Sequence, residues 1–168
     1  ARAARRVLLN RALTDASGNR VRWLRTDVEA FIDAIKTDAE ALRVHARLET
    51  LPSFGNRLMV ELAVYTTACD RMLRRSGIAS DSARHALADL GWHVYRRLLL
   101  VSSLPARLLT RDPGLRLRWT IRMLLYFPFN APGAPGYAVN TWVEGGDIFT
   151  HWRHCPPRDR RDRYHCNH

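Results

Sequence analysis

Lysine is almost absent from this sequence. Its 168 residues include 27 basic side chains, of which Lys36 is the only lysine. A net charge of +11 would usually indicate an acidic partner, either nucleic acid or an anionic membrane surface. The arginines, however, are spread along the predicted helices, as is typical of long side chains that cover an apolar surface and keep their charge in water. Nucleic-acid binding is therefore an alternative and not the favoured prediction.

Other missing features exclude whole classes of protein. Three cysteines, an odd number without a secretory leader, do not indicate a disulfide framework. No run of about 18 uncharged apolar residues predicts a membrane-spanning helix, and we expect a cytoplasmic location. The motifs G-x-x-x-x-G-K-[ST], G-x-G-x-x-G and G-x-S-x-G do not occur, so nothing supports nucleotide binding by those loops or an α/β-hydrolase nucleophile elbow.

Apolar residues recur at helical spacing over most of the first 126 positions. Helices are predicted over residues 3–13, 26–49, 58–73, 80–104 and 113–126. Asp15 to Asn19 (DASGN) predicts a turn, and Thr26 with Glu29 has the spacing of a capping box. Pro105 is expected to end the fourth helix, whereas Asp112 and Pro113 are expected to begin the next.

The pattern changes at residue 127. The stretch FPFNAPGAPG, residues 127–136, predicts a loop. The segments YAVNTWV and DIFTHWRHC follow, with Glu144, Gly145 and Gly146 between them, which indicates a β-hairpin. The predicted fold class is α+β, with a mainly helical N-terminal part of four to five helices packed with a C-terminal hairpin or small antiparallel sheet. Residues 1–157 are expected to form one domain, and residues 158–168 a disordered basic tail.

The predicted second strand carries the sharpest chemical hypothesis. If residues 147–155 are extended, His151, Arg153 and Cys155 share one face. His151 and Cys155 then lie about 13 Å apart along a straight strand, so they can pair only if the chain bends. Pro156 favours a helix beginning after Cys155, and the positive end of that helix, together with Arg153, would stabilise a thiolate. The alternative is a small buried hydrophobic cysteine.

Other candidates have plainer interpretations. His93, beside Trp92, is a candidate for lining a cavity, although a histidine at the core edge is the more frequent case. Cys69 is expected in the core. The basic apolar stretch of residues 96–127 either lies on a membrane surface or, as we favour, forms two helices that bury their leucines. A zinc site is an alternative for the C-terminal ligands, but their spacing is irregular, and we predict no metal; these ligands are His151, His154, Cys155, His165, Cys166 and His168.

The run FPFNAPGAPGYAVNTWVEGGDIFTHWRHCPP, residues 127–157, together with the preceding helical segment GWHVYRRLL, resembles the bacterial L-2-amino-thiazoline-4-carboxylic acid hydrolases and their relatives. The sharpest element of this resemblance is Cys155-Pro156. The family pattern continues with a helix and a second cysteine that is followed by an acidic residue. Here Cys166 is followed by Asn167, so the resemblance implies a member that is shortened or altered at its carboxyl end.

The resemblance implies a hydrolase that cleaves a C–N bond of a cyclic amidine in a small sulfur heterocycle with a carboxylate, without a cofactor. It makes Cys155 the nucleophile. The residue chemistry is compatible with His151 as the proton shuttle and with Arg153 holding the carboxylate by a forked pair. Trp152 and His93 are further candidates for binding the small-molecule substrate. The alternative function is an arginine-rich helical protein that binds nucleic acid or an anionic membrane surface.

Overall fold

Helices form most of the described chain. The computed structural model describes residues 2–124, 126 and 138–154. Its helices are α1 (Arg2–Asn10), α2 (Arg25–Ala46), α3 (Phe54–Arg75), α4 (Ser80–Leu109) and α5 (Pro113–Leu124). Its antiparallel strand pairs are β1 (Leu13–Thr14) with β2 (Arg20–Val21), and β3 (Ala138–Glu144) with β4 (Asp147–His154). The α+β fold class, helical first and ending in a hairpin, is confirmed.

The chain divides into two compact units. Unit 1 comprises Ala1–His45 and Val64–Tyr95, and unit 2 comprises Ala46–Ala63 and Arg96–His168. The single domain over residues 1–157 stays a prediction, and the tail at 158–168 lies outside the described residues. Within the described ranges, none of the helices combines the length and the apolar character needed to cross a membrane.

Unit 1 is built around an apolar core. Its fully buried side chains repeat at helical spacing in α2 and α3, because a helix buries one stripe of its surface. Trp23 packs edge-on against Phe31 at the margin of this core, with 4.7 Å between ring centroids. Burial of this cluster is the main stabilising term of the unit. The cluster consists of Leu8, Leu13, Val28, Phe31, Ile32, Cys69, Met72, Leu73, Ile78, Ala83 and Ala86.

The start of α2 differs from the prediction. Asp27, the third residue of the helix, accepts a hydrogen bond from the backbone N–H of Leu24 at 2.9 Å. Glu29 instead accepts two hydrogen bonds from the guanidinium of Arg5 on α1, at 2.6 and 2.7 Å. The prediction of a capping box at Thr26 and Glu29 is therefore wrong, because the Glu29 carboxylate binds Arg5 of α1 instead. The hydrogen bonds and charge of this pair lower the pKa of Glu29 and raise the pKa of Arg5.

The DASGN turn is confirmed, and it joins a strand pair that the pattern did not predict. Gly18 has a φ of +85°, a conformation that glycine adopts without steric cost. Helix α1 ends at Asn10, earlier than predicted, and Leu13 is a fully buried residue of β1. The β1–β2 pair is only two residues long on each side, which is too short to give an alternating pattern.

Helix α4 continues through its proline. Pro105 lies inside the helix, which ends at Leu109, so the prediction that Pro105 ends the helix is wrong. Proline costs one intrahelical hydrogen bond, and in this helix that cost does not stop the chain from continuing helically. The next boundary is confirmed, because the Asp112 carboxylate accepts the backbone N–H of Leu115 at 2.8 Å and caps α5.

Unit 2 contains the first turns of α3, the last turns of α4, α5 and the hairpin. Ser53 precedes α3, and its hydroxyl accepts the backbone N–H of Asn56 at 3.1 Å. Helix α5 contacts β4, which places a helix beside the hairpin, as two strands alone require for stability. The buried residues of the unit include Leu51, Met59, Val60, Ala63, Ala106 and Thr120.

Candidate functional site

The β3–β4 hairpin presents the predicted site residues. Gly145 and Gly146 connect its strands, with φ values of +59° and +92°, as a two-residue type I′ turn requires. Trp142 lies opposite Phe149, and their rings stack with centroids 5.5 Å apart. The indole N–H of Trp142 donates to the Glu144 carboxylate at 3.3 Å. One face of the hairpin therefore combines a stacked aromatic pair with carboxylates.

His151 lies on that same face. It is opposite Asn140 in the strand register and its side chain is exposed. Because alternate residues of a strand share a face, His151 and Phe149 are neighbours on β4. The structure thus leaves an imidazole accessible to solvent beside an aromatic pair.

A β-bulge interrupts the strand pair beyond His151. Val139 lies opposite Trp152, whereas Ala138 lies opposite His154, so β4 contains one extra residue at Arg153. A bulge bends its strand and changes the direction of the side chains around it. The regular alternation that would place Arg153 on the same face as His151 consequently ends at Trp152.

The remaining predicted site residues are placed as follows. The Arg153 side chain is exposed, and Trp152 is described by its backbone position alone. Cys155 lies outside the described residues, directly after the end of β4 at His154. The structure therefore brings His151, Trp152 and Arg153 onto one strand and leaves the assignment of Cys155 a prediction.

His93 belongs to unit 1, whereas the hairpin belongs to unit 2. Its side chain is half-buried on α4, and its Nδ1 lies 2.9 Å from the carbonyl oxygen of Asp89, one turn earlier. This local bond engages one of its two ring nitrogens with the helix backbone. The role of His93 in substrate binding stays a prediction.

Cys69 is a core residue, as predicted. It is 7% exposed, and burial, with a smaller contribution from the charge of Asp70, raises the pKa of its thiol to about 12. Since the thiolate is the reactive form of cysteine, this side chain is chemically inert at neutral pH.

Unit 1 also has an open groove that the sequence did not indicate. Its volume is about 410 Å³, and the small side chains of Ala30 and Ala34, one turn apart on α2, help to form it. The charged groups beside the groove are already engaged, since Asp27 caps α2 and Arg75 lies 3.7 Å from Asp38. The residues that line it are Trp23, Asp27, Ala30, Phe31, Ala34, Met72, Arg75 and Ser76.

The Arg-Leu segment, which we define as residues 96–124, exposes many of its apolar side chains. We expected its leucines to be buried, and this prediction is wrong, since Leu108 is 89% exposed and Leu109 is 69% exposed. In α5 the buried residue is Thr120, and Arg116 is half-buried. The exposed apolar side chains of the segment are Leu100, Val101, Leu104, Leu108, Leu109, Leu115, Leu117, Trp119 and Met123.

Metal ligands do not cluster in the described part of the chain. There, no group of three or more His, Cys, Asp or Glu side chains is arranged to hold a metal ion. Of the set considered for zinc, residues 155, 165, 166 and 168 lie outside the described ranges, so the zinc alternative is not tested by this observation.

Comparisons with known proteins gave no relative. No family model matches the chain, and no similar protein was found among curated proteins or solved structures.

Proposed function

We propose that this protein is a small-molecule hydrolase that cleaves a cyclic amidine-type C–N bond with Cys155 as its nucleophile. The observation that supports the proposal is the β-bulge at Arg153. It lies between His151 and Cys155, which a straight strand would hold too far apart for proton transfer. A bulge bends its strand, and a bend is what the proposed pairing of the two residues requires.

The proposed reaction uses the chemistry of this strand and of the residue that follows it. The Cys155 thiolate attacks the amidine carbon and forms an S–C bond, and the C–N bond then breaks as the leaving nitrogen takes a proton from His151. Water next attacks the S-bound carbon and gives a proton to His151, and the thiolate leaves. Arg153, whose side chain is exposed, binds the substrate carboxylate by two parallel hydrogen bonds.

The first test is turnover of 2-amino-thiazoline-4-carboxylate by the full chain and its variants. Cys155→Ala should abolish turnover, because the proposed reaction needs its thiolate and the described thiol, Cys69, is buried and unreactive. The matched control is Cys166→Ala, which should leave kcat unchanged. Turnover by Cys155→Ala at the rate of the unaltered protein would contradict the proposal.

A second set of variants tests the roles on β4. His151→Gln should lower kcat roughly 100-fold or more, the usual effect of removing a general acid–base group, whereas His154→Gln should not. Arg153→Gln should raise KM with little change in kcat. Arg153→Lys should restore KM only in part, because lysine lacks the forked geometry of arginine. Equal losses from His151→Gln and His154→Gln would remove His151 from the mechanism.

A further inference from the structure

Helix α5 exposes a stripe of apolar side chains. Leu115, Trp119 and Met123 follow one another at a spacing of four residues and therefore form one stripe. These side chains are 42%, 43% and 40% exposed. Thr120, which follows Trp119 and lies about 100° around the helix from it, is buried, and its hydroxyl donates to the Arg116 carbonyl at 2.7 Å. The helix thus presents an apolar stripe to the solvent, whereas its buried residue is polar.

The segment that contains this stripe is rich in arginine. Arg107, Arg111 and Arg122 are exposed, whereas Arg116 is half-buried and its Nε donates to the Thr110 carbonyl at 2.7 Å. Residues 96–124 contain seven arginines and one acidic residue, Asp112, whose carboxylate caps α5. The apolar stripe therefore lies in a segment with a strong excess of positive charge.

We propose that the Arg-Leu segment binds the surface of an anionic phospholipid bilayer. The stripe of Leu115, Trp119 and Met123 enters the interface between headgroups and acyl chains, where tryptophan is favoured. The exposed arginines remain at the level of the headgroups and bind their phosphates. The apolar side chains are then removed from water, and the positive charges of the arginines lie beside the negative charges of the lipid headgroups.

Two other occupants fit this segment less well. A nucleic acid binds through its phosphates, and it would leave the apolar stripe of Leu115, Trp119 and Met123 in water. A second copy of the chain would bring two positively charged segments together, and like charges oppose such an interface. Each of these occupants gives a different result in the experiments that follow.

The first experiment measures binding of the full chain to vesicles of phosphatidylcholine with and without phosphatidylglycerol. We expect sedimentation with the vesicles that contain phosphatidylglycerol, weakened by salt because salt screens exposed charges, and little sedimentation with phosphatidylcholine alone. Equal binding to both kinds of vesicle, or to neither, would overturn the proposal. Duplex DNA binding that competes fully with the vesicles, or a dimer that dissociates in Leu115→Gln/Met123→Gln, would assign the segment to one of the other occupants.

Matched variants locate the contact. Arg107→Gln/Arg122→Gln should weaken binding roughly 25-fold, since each arginine near an anionic surface contributes about fivefold. Arg20→Gln/Arg22→Gln removes the same charge from unit 1 and should weaken binding far less. Leu115→Gln/Met123→Gln should lose binding, whereas Leu24→Gln/Val44→Gln, at positions 69% and 74% exposed, should retain it. Equal losses in a variant and its control would mean that net charge or general hydrophobicity, and not this segment, directs binding.

Trp119 provides a direct readout of insertion. Brominated acyl chains should quench part of the tryptophan fluorescence of the bound protein, and Trp119→Phe should remove that part while binding persists. Far-ultraviolet circular dichroism of each variant separates a binding defect from unfolding. Quenching that is unchanged in Trp119→Phe would contradict insertion of α5.

Discussion

Asp15 shows how one side chain fixes a turn. Its Oδ1 accepts the backbone N–H groups of Ser17 and Asn19 at 2.9 and 2.8 Å, and its Oδ2 accepts from the Asn19 side chain at 3.2 Å. These hydrogen bonds, led by the one from the Asn19 backbone, outweigh desolvation and lower the pKa of Asp15 below its ordinary value. A hydrogen-bonded carboxylate therefore holds the turn between β1 and β2.

This pKa predicts an acid-dependent loss of stability. A carboxyl group whose pKa is lower in the folded state stabilises the fold above its unfolded pKa, near 3.9, and loses that contribution as the pH falls toward the folded pKa. Asp15→Asn keeps an acceptor oxygen but cannot titrate. Urea unfolding at several pH values should show a shallower decline below about pH 4 for Asp15→Asn than for the unaltered chain. Parallel declines in the two proteins would contradict this account.

Helix α4 departs from the local rule that proline ends a helix. Proline has no N–H, so the carbonyl of Val101 receives no intrahelical bond from residue 105, yet α4 extends from Ser80 to Leu109. Nearby, the Ser103 hydroxyl donates to the Leu100 carbonyl at 2.8 Å. At Pro113, the first residue of α5, the missing N–H has no cost because the first turn has no partner for it.

The two prolines make a matched pair of tests. Pro105→Ala should stabilise the protein by about 2 kcal/mol, which is the roughly 3 kcal/mol penalty of an interior proline less the roughly 0.4–1 kcal/mol that proline contributes by restricting the unfolded chain. Pro113→Ala should not stabilise it. Thermal unfolding monitored by circular dichroism measures both changes, and a lower Tm for Pro105→Ala would mean that the native helix requires the proline's geometry.

At the scale of the whole molecule, the burial of apolar side chains differs between the core of unit 1 and the Arg-Leu segment. Leu73 in unit 1 is fully buried in the core cluster, whereas Leu108 in unit 2 is 89% exposed. Burial removes apolar area from water and stabilises the fold, but an exposed leucine contributes little to folding. The apolar residues of the Arg-Leu segment are therefore better explained by binding than by the stability of the chain.

Replacing leucine by alanine at position 73 and at position 108 tests this difference in burial. Leu73→Ala should lower the free energy of unfolding by about 2–5 kcal/mol, through lost burial and the cavity that remains. Leu108→Ala should change it by less than about 0.5 kcal/mol. Chemical denaturation gives both values, and a large loss for Leu108→Ala would show that this leucine is packed in solution.

The sequence by itself determined the features that depend on neighbouring residues. The turn at Asp15, the cap at Asp112 and the glycine turn of the C-terminal hairpin follow from local hydrogen bonds and allowed φ values, and the pattern predicts all three. It also predicted the strand on which His151 and Arg153 lie. The bulge at Arg153 was not predictable, because register depends on the pairing with β3.

Tertiary structure alone decided which partner or face a residue meets. Glu29 has the spacing of a capping residue, but Arg5 on α1 binds it. In α5, apolar residues at 115, 117, 119, 121 and 123 alternate with other residues, and this places apolar side chains on opposite sides of a helix, which turns about 100° per residue. Periodicity consequently could not choose the buried face. Packing within unit 2 buried Thr120 and left Trp119 exposed, and that choice created the surface that we propose for membrane binding.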